Sequence, residues 1–277
     1  ERAQGRLLTN KDPNTPPTLI KNHPDVQRML YFQKAIVEGS MGLLFQCFMW
    51  DDLAKSLEGE EKKEAQMMLD LMTTVAKTYP AEMGTLAVNQ GLQVLGGYGY
   101  TEDFPLEQMA RDVRIMSIYE GTTGIHGLTL LGRGIPANNG AALQTLGKLV
   151  FADIAVAKGH ESLSKYATML EKELENLTQV TMHKLGFAMK GEIEVFLADS
   201  TLYMELFGLI TVAWQWLKQG HVAAAALAKG GLSAEDEAFY KDKIHTMKFF
   251  FHYEVPKALG LSKRLLDEEI LTIFDHK

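Results

Sequence analysis

Cysteine is nearly missing from this chain. Cys47 is the single thiol among 277 residues, so no disulfide can close within the chain and no cysteine-based zinc cluster can be assembled. A lone thiol suits a reducing compartment, and a cytoplasmic location is expected; Cys47 itself reads as a small apolar filler in a helix. No unbroken run of 18 apolar residues occurs, so no transmembrane span is expected. A secretory pattern of basic start, apolar stretch and cleavage site is lacking at the N-terminus. Positive charge is not in excess either. The net charge is −7; residues 1–139 carry 13 basic and 17 acidic side chains, and residues 140–277 carry 15 and 18. Neither half offers the basic patch that a nucleic-acid partner held by phosphate contacts requires. His160, His183, His221, His245 and His252 lack metal-ligand spacing such as H-E-x-x-H. An initiator methionine is absent, and a chain opening at Glu1 reads as a piece of something longer.

What is present is helical period. The composition, 46% apolar and 23% charged, is that of globular material with room for two modest domains, and no strand-like alternation occurs. Residues 1–23 are polar, with Pro13, Pro16 and Pro17, and read as loop. His23-Pro24-Asp25 opens a long helix, with proline where a missing N–H costs nothing. Val26, Met29, Leu30, Val37, Met41, Leu44, Phe45 and Phe48 recur at three- and four-residue steps and predict its buried face. Gly39 and Gly42 permit close helix contact. Glu61–Lys77 is a second helix with Met67, Met68, Leu71 and Val75 inward. Pro80 is expected to interrupt it, so that a third segment runs from about Pro80 to Leu95. With a fourth helix after Glu120, these predict a four-helix bundle.

The sequence P-A-N-N-G at 136–140 reads as a linker, dividing the chain into 1–136 and 137–277. Beyond it, Leu143, Leu146 and Val150 mark one helix, and Leu163, Tyr166, Leu170, Leu174 and Leu177 another. Phe196, Leu202, Tyr203, Leu206, Phe207 and Ile210 mark a third that extends through Trp214 and Trp216. Ser233 is the expected N-cap of a fourth, with Glu235 and Asp236 at the positive helix end. Tyr240, Ile244, Met247, Phe250 and Phe251 form its inward stripe, ending near Pro256. The fold class is therefore all-α, one bundle followed by another. The second offers no assignable chemistry.

Residues 91–133 concentrate the chemistry: a Gly-dense turn (Gly96, Gly97, Gly99), a basic step (Arg111, Asp112, Arg114) and a lone carboxylate in I-Y-E-G-T-T-G (118–124). Glycines at 96, 97, 121 and 124 let backbone approach a ligand or take positive φ. A glutamate among aromatic and small residues is a candidate for a partly desolvated acid or base, expected to project into a cavity. From composition alone, the same residues also make a helix cap, a turn and a second helix start bearing a surface Glu120.

Q-V-L-G-G-Y-G-Y-T-E-D-F-P-x-E, R-D-x-R-I and I-Y-E-G-T, in this order, resemble the C-terminal domain of the acyl-CoA dehydrogenases over some forty residues. The ending T-x-G-I-H-G-L-x-L-L-G-R resembles the 3-methylmercaptopropionyl-CoA dehydrogenase branch, which carries an extra C-terminal helical domain. The resemblance implies FAD-dependent α,β-desaturation of an acyl-CoA thioester, with electrons passed to an electron-transfer flavoprotein, in a homodimer or higher homo-oligomer. It makes Glu120 the α-proton-abstracting base, and it places Tyr119 and Gly121 along the acyl thioester. Glu1-Arg2-Ala3-Gln4-Gly5 resembles the E-R-x-x-G segment that meets the FAD pyrophosphate, which gives Arg2 and Gln4 to the cofactor. Gln93, Val94, Leu95, Gly96 and Gly97 match a segment meeting the adenosine half of FAD across a dimer interface. Thr122 and Thr123 match flavin contacts. Gly124 departs from the acidic or amide residue of many members, and Arg133 reads first as a partner of a helix dipole.

The family's N-terminal helical and middle β-domains have no counterpart in these residues, so the isolated chain is expected to lack FAD and activity. The competing reading is a non-catalytic helical module for oligomerisation or partner binding.

Overall fold

A computed structural model describes residues 2–10 and 12–273; Glu1, the first residue of the E-R-x-x-G segment, lies outside the described residues. The described residues are helical throughout, apart from loops and one isolated antiparallel bridge, Ala3 to Leu19. Ten α-helices are described: α1 (Pro24–Ser56), α2 (Gly59–Leu95), α3 (Leu106–Ile115), α4 (Thr123–Thr129), α5 (Ala141–Lys158), α6 (Glu161–Met189), α7 (Ile193–Leu197), α8 (Ser200–Lys229), α9 (Ala234–Phe249) and α10 (Lys257–Leu265). The all-α reading holds.

α1 and α2 form a long hairpin whose turn is eased by Gly59 at φ 66°. Pro24 occupies the first turn of α1, as its sequence implies. Two expectations fail here. Pro80 does not split α2: Ala76, Tyr79, Ala81 and Met83 are all buried around it. Packing on both flanks outweighs the one helical donor that proline removes from the Ala76 carbonyl. The inward face of α1 is also not the one its large residues suggest. Met29 is buried, but Val37, Met41, Phe45 and Phe48 are exposed, Phe45 by 61%. The buried stripe is instead Phe32, Ala35, Ile36, Gly39, Leu43, Cys47 and Trp50.

Small residues decide that choice. A Cβ at Gly39 would stand 2.5 Å from Trp216 Nε1 and 2.7 Å from Val212 Cγ1, and one at Gly42 would stand 3.2 Å from Gln215 Cβ. α8 therefore lies almost against the α1 backbone, and the Trp216 indole N–H donates to the Ala35 carbonyl at 2.9 Å.

α8 is the central helix, packed by α1, α2, α4, α5, α6, α9 and α10. One continuous buried core runs from Phe32 on α1 to Leu265 on α10. Between Ile135 and α5 the chain turns sharply through Asn138 and Asn139, both left-handed at φ 50° and 58°. In the later helices the expected faces appear: Leu163, Tyr166, Leu170, Leu174 and Leu177 are buried on α6. The Ser233 hydroxyl caps α9 by accepting from Asp236 N–H at 3.0 Å. The third expected helix is split, into α7 and α8.

By length and hydropathy, two helical segments could cross a membrane, Ala137–Lys158 and Ile193–Lys229; the earlier expectation considered only unbroken apolar runs. Of the second segment's apolar window, 61% is buried within this fold. The first carries Asp153, which accepts the Trp214 indole N–H at 2.6 Å.

Candidate active site

The loop between α3 and α4 carries the I-Y-E-G-T-T residues. α3 ends at Ile115, and Tyr119 N–H reaches back to the Ile115 carbonyl at 3.1 Å. Glu120 follows in the left-handed region at φ 52° and Gly121 at φ 92°. Glutamate adopts such a φ at a cost of roughly 1 kcal/mol or more, met by surrounding contacts. Thr122 then starts α4, its hydroxyl accepting from Ile125 N–H at 3.5 Å.

Four contacts fix this turn. Lys77 Nζ on α2 donates to the Gly121 carbonyl at 2.7 Å. Nε2 of His126 lies 3.2 Å from the Glu120 carbonyl, in the donor role that this pairing requires. The Thr123 hydroxyl donates to the Glu82 carboxylate, and Thr123 N–H donates to the Ser117 carbonyl at 3.3 Å. Glycine suits position 121: a Cβ there would stand 2.7 Å from His126 Nε2, at a φ that side chains resist.

The Glu120 carboxylate itself is exposed. The expectation of a partly desolvated carboxylate projecting into a cavity is not met among the described residues. The loop's inward contacts are made by two carbonyls and by Thr123, which leaves the glutamate side chain to the outer face. Tyr119 beside it is 42% exposed, with its hydroxyl 3.1 Å from Met116 Sδ. No described acceptor takes the Glu120 N–H.

Behind the loop is a cavity of about 480 Å³ among α2, α3, α4 and α8, whose lining includes Tyr79, Glu82, Arg114, Thr123 and Glu205. Burial raises the Glu205 carboxyl above its ordinary range; Lys257 opposes this and Glu82 adds to it. Burial also pushes the Tyr79 hydroxyl well up, helped by Glu254 and Glu205. Arg111 pairs with Glu107 one turn back on α3 rather than with the loop.

The other expected residues gather at the far end of α2. Arg2 donates to the Leu95 carbonyl at 3.3 Å, across 93 residues of sequence, and its guanidinium lies 5.8 Å from the Tyr98 ring centre. Gly96 closes the helix at φ 62°, its N–H on the Gln93 carbonyl. Arg2 Nη1 is 3.8 Å from where a Gly96 Cβ would be, and the space over Gly97 is open. Gln93 is exposed and Val94 half-buried. The Gln4 backbone is pinned by Thr18 O at 2.9 Å and by His23 Nε2 at 2.8 Å. Leu95 lies roughly 20 Å along α2 from Glu82, at about 1.5 Å per residue. Arg2 to Gly97 and Tyr119 to Thr123 are thus two separate patches on one helical scaffold.

Sequence reasoning missed Lys77, Glu82 and His126. A signal existed for the first two. They are the only charged residues between Asp70 and Glu102, and isolated charges on a packed helix need partners.

Comparison with known proteins gives the fold its relatives. Residues 21–135 match the family model "Acyl-CoA dehydrogenase, C-terminal domain", and residues 146–272 match "Acetyl-CoA dehydrogenase C-terminal like". The broad-specificity linear acyl-CoA dehydrogenase FadE5 of Mycobacterium tuberculosis is 31% identical over 98% of this chain and 46% of its own length. The 3-methylmercaptopropionyl-CoA dehydrogenase of Ruegeria pomeroyi is 30% identical over 96% of this chain and 44% of its own length. A crystal structure of an acyl-CoA dehydrogenase complexed with FAD from Bacillus anthracis shares the fold at TM-score 0.66 and 18% identity, over 92% of this chain and 44% of that one. The chain spans just under half the length of these relatives. Two C-terminal-domain models, one of acyl-CoA dehydrogenases and one acetyl-CoA dehydrogenase-like, take up its helices in succession, and relatives align along nearly all of it, so the chain matches the C-terminal half of the acyl-CoA dehydrogenases.

Proposed function

We propose that, in a polypeptide of the relatives' length, this chain supplies the base and part of the cofactor site of an FAD-dependent acyl-CoA dehydrogenase. The observation that carries the reading is the Glu120 turn. It is a glutamate in a strained left-handed conformation, exposed, with no hydrogen-bond partner for its carboxylate or its own N–H among the described residues. A thioester whose carbonyl oxygen accepts that N–H has its α-carbon acidified, because the donor stabilises the charge that develops on oxygen. The neighbouring carboxylate is then the group to take the α-proton. Tyr119 and Gly121 line the acyl thioester on either side.

The residues present fit FAD. Arg2 offers a planar fork of donors with one taken by Leu95; it lies beside Gly96, and the open space over Gly97 leaves room for a phosphate. Gln4, Gln93, Val94, Leu95, Gly96 and Gly97 would hold the pyrophosphate and adenosine end, that of a neighbouring subunit in a homodimer or larger oligomer. Thr122 keeps its O–H free to donate to the flavin, whereas the Thr123 O–H is spent on Glu82. When bound, FAD supplies the hydride acceptor that side chains cannot provide. An electron-transfer flavoprotein is the proposed acceptor after it.

The same geometry makes this chain inactive when isolated, because nothing among the described residues covers Glu120 or excludes water from it. Purified alone it should show no stoichiometric flavin spectrum. The test of the whole reading is turnover of the relative-length polypeptide on a panel of acyl-CoAs with a dye acceptor. Glu120→Gln should abolish turnover while leaving FAD bound. Retained turnover would favour the second reading, a non-catalytic helical module, for which the exposed apolar stripe of α1 is the supporting observation.

A further inference from the structure

The contacts around the loop do more than close a turn. The peptide groups on either side of Glu120 are tied down separately. Before it, Tyr119 N–H is anchored to Ile115. After it, the Glu120 carbonyl is met by His126 and the Gly121 carbonyl by Lys77. Two consecutive carbonyls are thus drawn inward by donors from two elements, α4 and α2. A residue held at φ 52° against its intrinsic preference needs such over-determination. If either donor is removed, Glu120 can relax toward the right-handed region, which redirects both its side chain and its N–H.

Both donors belong to the rigid part of the molecule. Lys77 lies half-buried on the middle of α2, between the buried Ala76 and Thr78. His126 precedes Gly127, whose missing Cβ lets α4 lie against the Ser200 backbone at the start of α8; a Cβ there would stand 2.9 Å from Ser200 C and O. The His126 ring is therefore placed by the α4–α8 contact, and through it by the second half of the chain.

We infer that Lys77 and His126 are positioning residues for the dehydrogenation, holding Glu120 in the left-handed conformation that leaves its carboxylate exposed and its N–H without a partner among the described residues. Neither touches substrate in this assignment; both act through the loop. The inference rests on Glu120 being the base, and it adds a role for two residues and for the α4–α8 seat.

The test uses the relative-length holoenzyme with five variants: Lys77→Met, Lys77→Arg, His126→Leu, His126→Gln and Glu120→Gln. Lys77→Met and His126→Leu should each lower kcat by roughly 10- to 100-fold, because sub-ångström misplacement of a reacting group costs rate rather than binding. KM for the acyl-CoA should stay within about twofold, and flavin content and melting temperature should be unchanged. Lys77→Arg and His126→Gln, which keep an N–H donor, should recover most of the loss.

Wild-type kcat in both Lys77→Met and His126→Leu would overturn the inference. So would losses that track flavin content or melting temperature and are not rescued by the donor-keeping variants, since that pattern belongs to a structural role. Glu120→Gln separates the two levels. If it keeps full turnover, the base assignment itself fails; if it is inactive while Lys77→Met and His126→Leu are normal, only the positioning inference fails.

Discussion

α1 and α8 are alike in length, 33 and 30 residues, and both are rich in large apolar side chains, yet the fold treats them oppositely. From Tyr203 to Leu217 nearly every α8 residue is buried, with Trp216 and Phe207 at 0% exposure. α1 buries small residues along the line where α8 meets it and turns Phe45, Phe48, Met41 and Val37 outward. Large apolar residues on more than one side of a helix do not put every side in the core. What decides burial here is where a neighbouring backbone can come closest, and glycine and alanine on α1 set that line. The difference also separates stability from the proposed chemistry: α8 organises the core, whereas the Glu120 loop and the α1 stripe are exposed.

The severest way to test this contrast is to remove α8 together with α5, α6, α7, α9 and α10. A chain ending at Pro136 loses the partner of Phe32, Ala35, Ile36 and Gly39 together. It should show no cooperative thermal transition, whereas the 277-residue chain should show one. Trp216→Ala comes next. It empties a fully buried indole site and removes a second donor from the Ala35 carbonyl, so denaturant titration should report a loss of about 3–5 kcal/mol. Phe45→Gln on α1 removes an aromatic of similar hydrophobicity from the opposite situation. It should change stability by no more than about 0.5 kcal/mol in this chain; a loss comparable to that of Trp216→Ala would show that the α1 stripe is not an outer face.

The smallest effect concerns Glu254, a 3%-exposed carboxylate whose partner is Lys257 at 2.6 Å. Burial raises its pKa, with Lys257 and Arg28 opposing. A raised folded-state pKa means that the folded protein binds the proton more tightly than the unfolded chain. This contribution is therefore fully present below the ordinary carboxylate range and is lost as pH rises through the raised value. Melting temperatures of Glu254→Gln should lack that downward slope, which the unaltered chain should show.

Much of the fold was legible because several helices have one apolar face and a polar remainder. α6 is the clear case, with Leu163, Tyr166, Leu170, Leu174 and Leu177 all inward, and the Ser233 cap is another. α1 was misread because its period admits more than one face, and periodicity cannot say which one a distant helix will choose. Pro80 was misread because local propensity yields to burial on both sides. At the site, Arg2 and Leu95 were both named from motif, but their contact spans 93 residues and only folding shows it. Lys77 and His126 carry no motif at all. Lys77 becomes intelligible only when α2 and the loop, 44 residues apart in sequence, are seen side by side.

The claim most exposed to disproof is that the Glu120 carboxylate removes the α-proton. Solvent exchange reads this step directly: the relative-length holoenzyme is incubated in D2O with an acyl-CoA and no electron acceptor, and deuterium at the α-carbon is followed by NMR. The unaltered enzyme should incorporate α-deuterium, and Glu120→Gln, with its FAD still bound, should not. Undiminished α-deuterium incorporation by the flavin-loaded Glu120→Gln enzyme would contradict the account.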